Sequence, residues 1–212
     1  MKIAVIGATG MVGSRVTAEA VARGHRVTAV SRRPAADDAR LRAATHLVAD
    51  ASEPAGARAA LDGAEAAVVS VRPAAGAEHA LPTTTRTLLD AAAATGTRLL
   101  VVGGAGPLRA PGARARLVVD DRAHVPLAWR AVAAASVAQL RVCEAHPTAR
   151  WAYLSPPAML EPGERTGAYR RGTDTLLTLP DGSSRISAED LAVAVLDALE
   201  QPGTAGHFTV GW

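Results

Sequence analysis

Apolar residues in the first half of the chain come in short runs, at residues 1–7, 25–31, 46–50, 64–71 and 98–104, rich in Val, Leu and Ile and without strict alternation. Such runs read as β-strands covered on both faces, because a strand with one wet face alternates polar and apolar positions. Between them lie helical stretches, from about Met11 to Arg23, near 54–62 and near 80–95. Strand, helix and strand in series predict a parallel sheet with crossover helices on both faces. The second half departs from simple alternation. A Pro-, Gly- and Arg-rich loop is expected from Ala105 to about Pro126, then a long alanine-rich helix near 127–145 and a strand at 150–157. A loop at 161–172, a short strand or hairpin near 175–186 and a last strand at 207–212 follow. A helix opens at Ser187-Ala188-Glu189-Asp190, where a hydroxyl and an acid three residues on have the spacing of a capping box. The fold class is therefore α/β, a doubly wound and mostly parallel sheet flanked by helices.

Composition narrows the picture. A chain of 212 residues with 49% hydrophobic content can bury one large core, and no repeat, linker or composition break divides it, so residues 1–212 are expected to form a single domain. No run of apolar residues is long enough to span a bilayer, and the opening reads as a strand and turn rather than a signal peptide, so no membrane association is expected and the mature protein is expected to begin near Met1. The single cysteine, Cys143, excludes an internal disulfide and a cysteine-based zinc site, reads as a buried thiol in a helix, and fits a reducing, cytoplasmic setting. The net charge of +3 rests almost wholly on arginine, since Lys2 is the sole lysine. Arg109, Arg114, Arg116 and Arg122 fall within one loop, but Asp120 and Asp121 interrupt them and only one Phe and two Tyr are available to stack on bases, so a solvated loop is expected and no nucleic-acid partner.

The most informative chemistry is Gly7-Ala8-Thr9-Gly10-Met11-Val12-Gly13, between the first strand and the first helix. Glycines there allow a tight turn, close approach of a diphosphate to backbone and close helix–strand packing, while amides at the helix N-terminus complement phosphate charge. This predicts a Rossmann-type dinucleotide site using Gly7, Thr9, Gly10, Met11, Val12 and Gly13. The second strand ends at Ser31, Arg32 and Arg33, where an NAD enzyme would place an acid for the ribose 2′-hydroxyl. Arginine offers a planar fork for a 2′-phosphate instead, so NADP(H) is the cofactor expected, with Ser31 as a further donor. Asp37 and Asp38 are expected in the next helix. Asp50, beside Ala51, either accepts from the adenine amino group or caps a helix. Ser70, Val71 and Arg72, and Gly103 and Gly104, end the fourth and fifth strands at the carboxyl edge, where backbone contacts along the cofactor are expected.

On these motifs the chain resembles the atypical short-chain dehydrogenases/reductases with an NAD(P)H-binding Rossmann core, of the NmrA-like and biliverdin reductase B (flavin reductase) kind. The resemblance runs over nearly the whole chain, through GATGMVG (7–13), SRR (31–33), VVGGAGPL (101–108), YLSPP (153–157), PGERTGAYR (162–170), ISAEDLA (186–192) and FTV (208–210). It implies that Ser155, Pro156 and Pro157 pass close to the nicotinamide and that a small C-terminal extension builds the substrate side. The Tyr-x-x-x-Lys pair of the wider superfamily is absent, since Pro157 and Thr173 stand four residues after Tyr153 and Tyr169. The serine usual near the end of the fifth strand is replaced within Gly103-Gly104-Ala105-Gly106, and Ala158 stands where the flavin-reductase branch has histidine.

Without that acid, hydride transfer still suits an acceptor that takes its proton from water, the cofactor carrying the difficult step. The function expected is an NADPH-dependent reductase of a small conjugated acceptor, flavin- or quinone-like or a related carbonyl or imine, acting as a monomer or homodimer. Trp129, Met159 and Tyr169 are candidate lining residues, and His124 and Tyr169 candidate proton donors. Trp129 also reads as core. No metal site is expected, because His25, His46, His79, His146 and His207 read as element ends or surface positions. The alternatives are a non-catalytic NADP(H) sensor of the NmrA type and a biosynthetic isomerase or reductase adapted from this scaffold.

Overall fold

The computed structural model describes residues 1–34 and 37–212, with Arg114 described by its backbone only. The early apolar runs become β1 (Lys2–Ile6), β2 (Arg26–Ser31), β3 (Thr45–Val48), β4 (Ala66–Val69) and β5 (Arg98–Val102), linked by α1 (Met11–Ala22), α2 (Pro54–Leu61) and α3 (Ala80–Thr95). Then come a hairpin of β6 (Arg109–Ala110) and β7 (Ala113–Leu117), α4 (Arg130–Glu144), β8 (Trp151–Ser155), β9 (Met159–Glu161), β10 (Arg170–Gly172), β11 (Arg185–Ser187), α5 (Ala188–Glu200) and β12 (Gly206–Gly211). Eight strands form one sheet in the order β10-β12-β8-β5-β4-β1-β2-β3, parallel except where β10 pairs with β12. The order reverses between β1 and β4, which opens a crevice at their carboxyl ends.

The missing alternation in the strands has its cause here. In β1, Ile3 and Val5 pack with α1 and α5 on one face while Ala4 and Ile6 pack with α2 and α3 on the other, and all four are buried. Each fully buried Leu, Ile or Val side chain is worth roughly 1.5–3 kcal/mol, so both faces must be covered. Cys143 is buried in α4, where desolvation first, and the Glu144 charge second, push its thiol up to about 12. Among the described residues no helix is long and apolar enough to cross a membrane.

Several expectations for irregular segments are corrected. The 105–126 loop contains the β6–β7 hairpin and a 3₁₀ turn at Val118–Asp120, because Leu108 and Val118 are buried in a small cluster of their own with Val125, Ala133 and Leu176. The 161–172 loop contributes β10, the antiparallel edge of the main sheet. Segment 175–186 ends in the short strand of the two alternatives rather than a hairpin; this strand, β11, runs parallel to β9 in a separate two-stranded sheet. Asp38 caps a 3₁₀ turn at Ala39–Leu41, accepting from the Arg40 amide at 2.9 Å, rather than lying in a helix. Of the four arginines in the 105–126 loop, the Arg114 side chain lies outside the described residues, and Arg109 and Arg116 pair with Asp174 and Asp121.

Candidate functional site

The turn after β1 is shaped by backbone against backbone. Gly7 has φ 83°, and a Cβ there would lie under 3.0 Å from the Ser70 carbonyl at the end of β4. The amides of Gly7 and Ala8 donate to the Val30 carbonyl at 3.0 and 3.1 Å, tying the turn to β2. A Cβ on Gly13 would fall under 3.0 Å from the Gly7 carbonyl, so α1 starts as close to the turn as two backbones allow. Gly10 caps α1 without any side-chain hydrogen bond. The amides of Met11, Val12 and Gly13 therefore face the crevice with no acceptor in the helix, which suits an anion.

Beside that turn, Thr9, Arg32, Arg33 and Pro34 line an open pocket of about 330 Å³. Ser31 is placed differently from expectation, because its hydroxyl donates to the Arg33 carbonyl at 2.6 Å and so shapes the arginine turn. Asp50 accepts from the Ser52 hydroxyl and amide at 2.6 and 2.9 Å, and these bonds hold its carboxyl below the usual range. Ala51 is buried. A second close approach was not read in the sequence: a Cβ on Gly56 would meet the Asp50 carbonyl under 3.0 Å, so α2 seats on the β3 turn much as α1 seats on the β1 turn.

Farther along the edge, Ser70 gives its carbonyl to the Gly7 contact, and Arg72 lies over the Trp129 ring, 5.0 Å from its centroid. Gly103 is glycine for a reason of its own, since a Cβ would run into the Tyr153 hydroxyl. Tyr153 is fully buried and donates toward the Ser136 carbonyl at 3.0 Å and Gln139 Oε1 at 3.1 Å, and burial pushes its phenol far up. Gly104 lies against Ser136. Ser155 is buried, its carbonyl accepting from Thr209 and its Oγ sharing a 2.9 Å hydrogen bond with His207 Nε2; Pro156 and Pro157 are buried after it.

His207 stands at an element end, near the start of β12, and its ring is turned inward. It sits in β12 with its ring edge-on to Tyr153. Burial lowers its pKa below the ordinary imidazole value, the Asp174 charge opposing this in part. An imidazole harder to protonate folded than unfolded leaves stability intact above about pH 6.5 and lowers it as pH falls through that value, where the unfolded chain binds the proton more readily. We expect the melting temperature to fall less between pH 7.5 and 5.5 in His207→Gln than in the native chain; equal falls in thermal scans would refute this.

The two candidate proton donors are not brought together. His124 approaches Asp121 at 3.4 Å in the loop over the edge. Burial opposes ionisation of Asp121, but the Ala123 amide, His124 and Arg116 hold its carboxyl below the usual range. Tyr169 lies elsewhere, donating to Asp197 at 2.7 Å in the last turns of α5, with burial first and that carboxylate next pushing its phenol up. Trp129, 52% exposed, is not core, and neither are Leu127 at 74% and Met159 at 50%. Among the described residues no cluster of His, Cys, Asp and Glu could hold a metal ion.

The PGERTGAYR and ISAEDLA motifs meet as a strap rather than as site chemistry. Ser187 Oγ donates to the Glu164 carbonyl and accepts from the Asp190 amide. The Asp190 carboxylate, instead of closing the capping box, is buried and accepts from Thr166 Oγ1 at 2.5 Å, the Gly167 amide at 2.8 Å and Trp212 Nε1 at 2.9 Å. Arg165 makes a forked pair with Glu19 of α1, and Arg15 of α1 pairs with Glu189. The strap thus locks α1 against α5.

A family model for NAD(P)H-binding proteins matches residues 7–202. YwnB of Bacillus subtilis (strain 168) is 35% identical over 209 residues, covering 95% of this chain and 93% of its own. A proposed exported protein from Burkholderia pseudomallei has a TM-score of 0.88 at 37% identity, each chain covered in full. SP1627 of Streptococcus pneumoniae TIGR4, a proposed NADH-flavin reductase, has a TM-score of 0.88 at 27% identity, over 100% of this chain and 99% of that one. A proposed epimerase from Bacteroides thetaiotaomicron has a TM-score of 0.84 at 33% identity, over 100% and 96%.

Proposed function

Because the chain belongs to the NAD(P)H-binding family, we propose that it is a single-domain NADPH-dependent reductase of a small conjugated acceptor. The observation that carries the cofactor choice is the pocket of Arg32, Arg33, Thr9 and Pro34 beside the start of α1, whose cap makes no side-chain hydrogen bond. The residues fit that cofactor. The amides of Met11, Val12 and Gly13 would take the diphosphate and the two guanidiniums the 2′-phosphate. The chemistry brought by that cofactor, when bound, is delivery of a hydride, the acceptor gaining two electrons and drawing its proton from water while NADP⁺ remains. The chain contributes orientation and shielding. Neither phenol is available as an acid, since Tyr153 is buried against Ser136 and Gln139 and Tyr169 is committed to Asp197. That favours acceptors needing no protein acid, and the same observation keeps the sensor reading in view. The reductase role also draws on the likeness to the proposed NADH-flavin reductase of S. pneumoniae.

Calorimetric titration tests the cofactor choice. NADPH should bind more tightly than NADH, and the Arg32→Gln/Arg33→Gln variant should lose about 100-fold in NADPH affinity, about 2.7 kcal/mol, with NADH affinity little changed. Equal losses for both dinucleotides would overturn the 2′-phosphate assignment. Oxidation of NADPH with a panel of flavins, quinones, imines and aldehydes then separates reductase from sensor, tight binding without turnover on any of them favouring the sensor.

A further inference from the structure

Arg72 and Trp129 come from different crossovers. Arg72 lies two residues past Ser70, the residue on which the Gly7 turn rests, and Trp129 closes the 3₁₀ turn Leu127–Trp129 that leads into α4. Their 5.0 Å contact bridges the segments that follow β4 and β5 over the carboxyl edge. Of the arginines between β5 and α4, Arg109 pairs with Asp174 and Arg116 with Asp121, while Arg130, at the start of α4, pairs with Asp120. Arg72 has no carboxylate partner among the described residues, and its guanidinium rests on an indole that remains half exposed.

A cation on an exposed aromatic face is a weak contact. A ligand that offers a flat π surface to the indole and an anion to the guanidinium replaces it with two better ones, stacking and a charge-assisted hydrogen bond. Leu127, in the same 3₁₀ turn as Trp129 and largely exposed, supplies apolar surface for such a ring system. We propose that Arg72 and Trp129 form the acceptor-recognition pair, and that the acceptor is a planar conjugated molecule carrying a carboxylate or phosphate. Trp129 selects for flatness and the Arg72 side chain for charge, while the Arg72 backbone stays free to contact the cofactor. This inference rests on the reductase reading and narrows its substrate class.

Riboflavin and FMN share one ring system and differ by a phosphate, which makes them the probes. Their dissociation constants are read from quenching of flavin fluorescence on the NADP⁺-loaded protein, and kcat/KM from NADPH oxidation. The native chain should prefer FMN by about 10-fold or more. Arg72→Gln should bring FMN down to the riboflavin value, Trp129→Ala should weaken both flavins, and Trp129→Phe should restore most of that loss. If Arg72→Gln weakens NADPH binding as much as FMN binding, the guanidinium serves the cofactor and the proposal is overturned. If both flavins are bound and reduced without preference, the proposal falls and the reductase reading stands. If NADPH binds tightly while no planar probe, charged or neutral, binds or is reduced, both fall together.

Discussion

Gly13→Ala is expected to lower NADPH affinity by at least about 100-fold and to destabilise the chain by roughly 1–3 kcal/mol. The added Cβ would meet the Gly7 carbonyl under 3.0 Å, and the neighbouring Gly7 carbon and Ala8 Cα are nearly as close. These are backbone atoms, held by the amides of Gly7 and Ala8 bonded to Val30, so they cannot rotate aside as a side chain would. α1 must lift from the turn, and the amides of Met11 and Val12 lose their common aim while the helix itself survives. Gly24→Ala is the control. Gly24, unlike Gly13, has positive φ, 79°, and a Cβ there meets nothing within 4 Å, so it should cost only backbone strain, about 1–2 kcal/mol, and leave NADPH binding as it was. Calorimetric titration and denaturant unfolding read the two effects separately; a Gly13→Ala chain that binds NADPH like the native one would refute the close-packing argument.

Asp190→Ala should destabilise the chain by about 3 kcal/mol or more without touching any group assigned to the cofactor. The carboxylate is buried and gathers three donors, from Thr166, Gly167 and Trp212. Alanine takes the shared acceptor from those three donors and frees the strap that joins α1 to α5. Asp190→Asn keeps the size but loses one acceptor oxygen to an NH₂ group that can only donate, so an intermediate loss is expected. Chemical unfolding measures both, and a loss below about 1 kcal/mol for the alanine variant would mean the strap adds little to the fold.

These variants divide along the line between what can and cannot be read in one dimension. Gly7, Gly10 and Gly13 are legible because their function is local: seven consecutive residues build a turn whose backbone demands glycine whatever the rest of the chain does. The place of Arg32 and Arg33 beside Thr9 is legible for a similar reason, since they directly follow the strand adjacent to that turn. Ser31 shows the limit, as its hydroxyl goes to the Arg33 carbonyl rather than outward, a choice made by a rotamer rather than by position in sequence.

Other roles depend on residues far apart in the chain. Gly103 reads as a strand-end glycine, and only the fold shows the Tyr153 hydroxyl where its Cβ would be. His207 reads as an element-end or surface residue, and only the pairing of β12 beside β8 sets it against Ser155. Asp190 reads as half of a capping box until the 166–167 turn and the Trp212 indole reach it. Tyr169 reads as a possible acid until Asp197 takes its proton donor.

Periodicity and a contiguous turn motif were enough to determine the parallel sheet, the crevice at its carboxyl edge and the class of cofactor, because both faces of each strand must be buried and a diphosphate needs bare amides at one helix end. The tertiary structure alone decided which polar groups face that crevice and which are spent holding helices together. That choice rests on which distant donor lies within about 3 Å of which acceptor, a matter of side-chain direction and strand order that residue spacing does not carry.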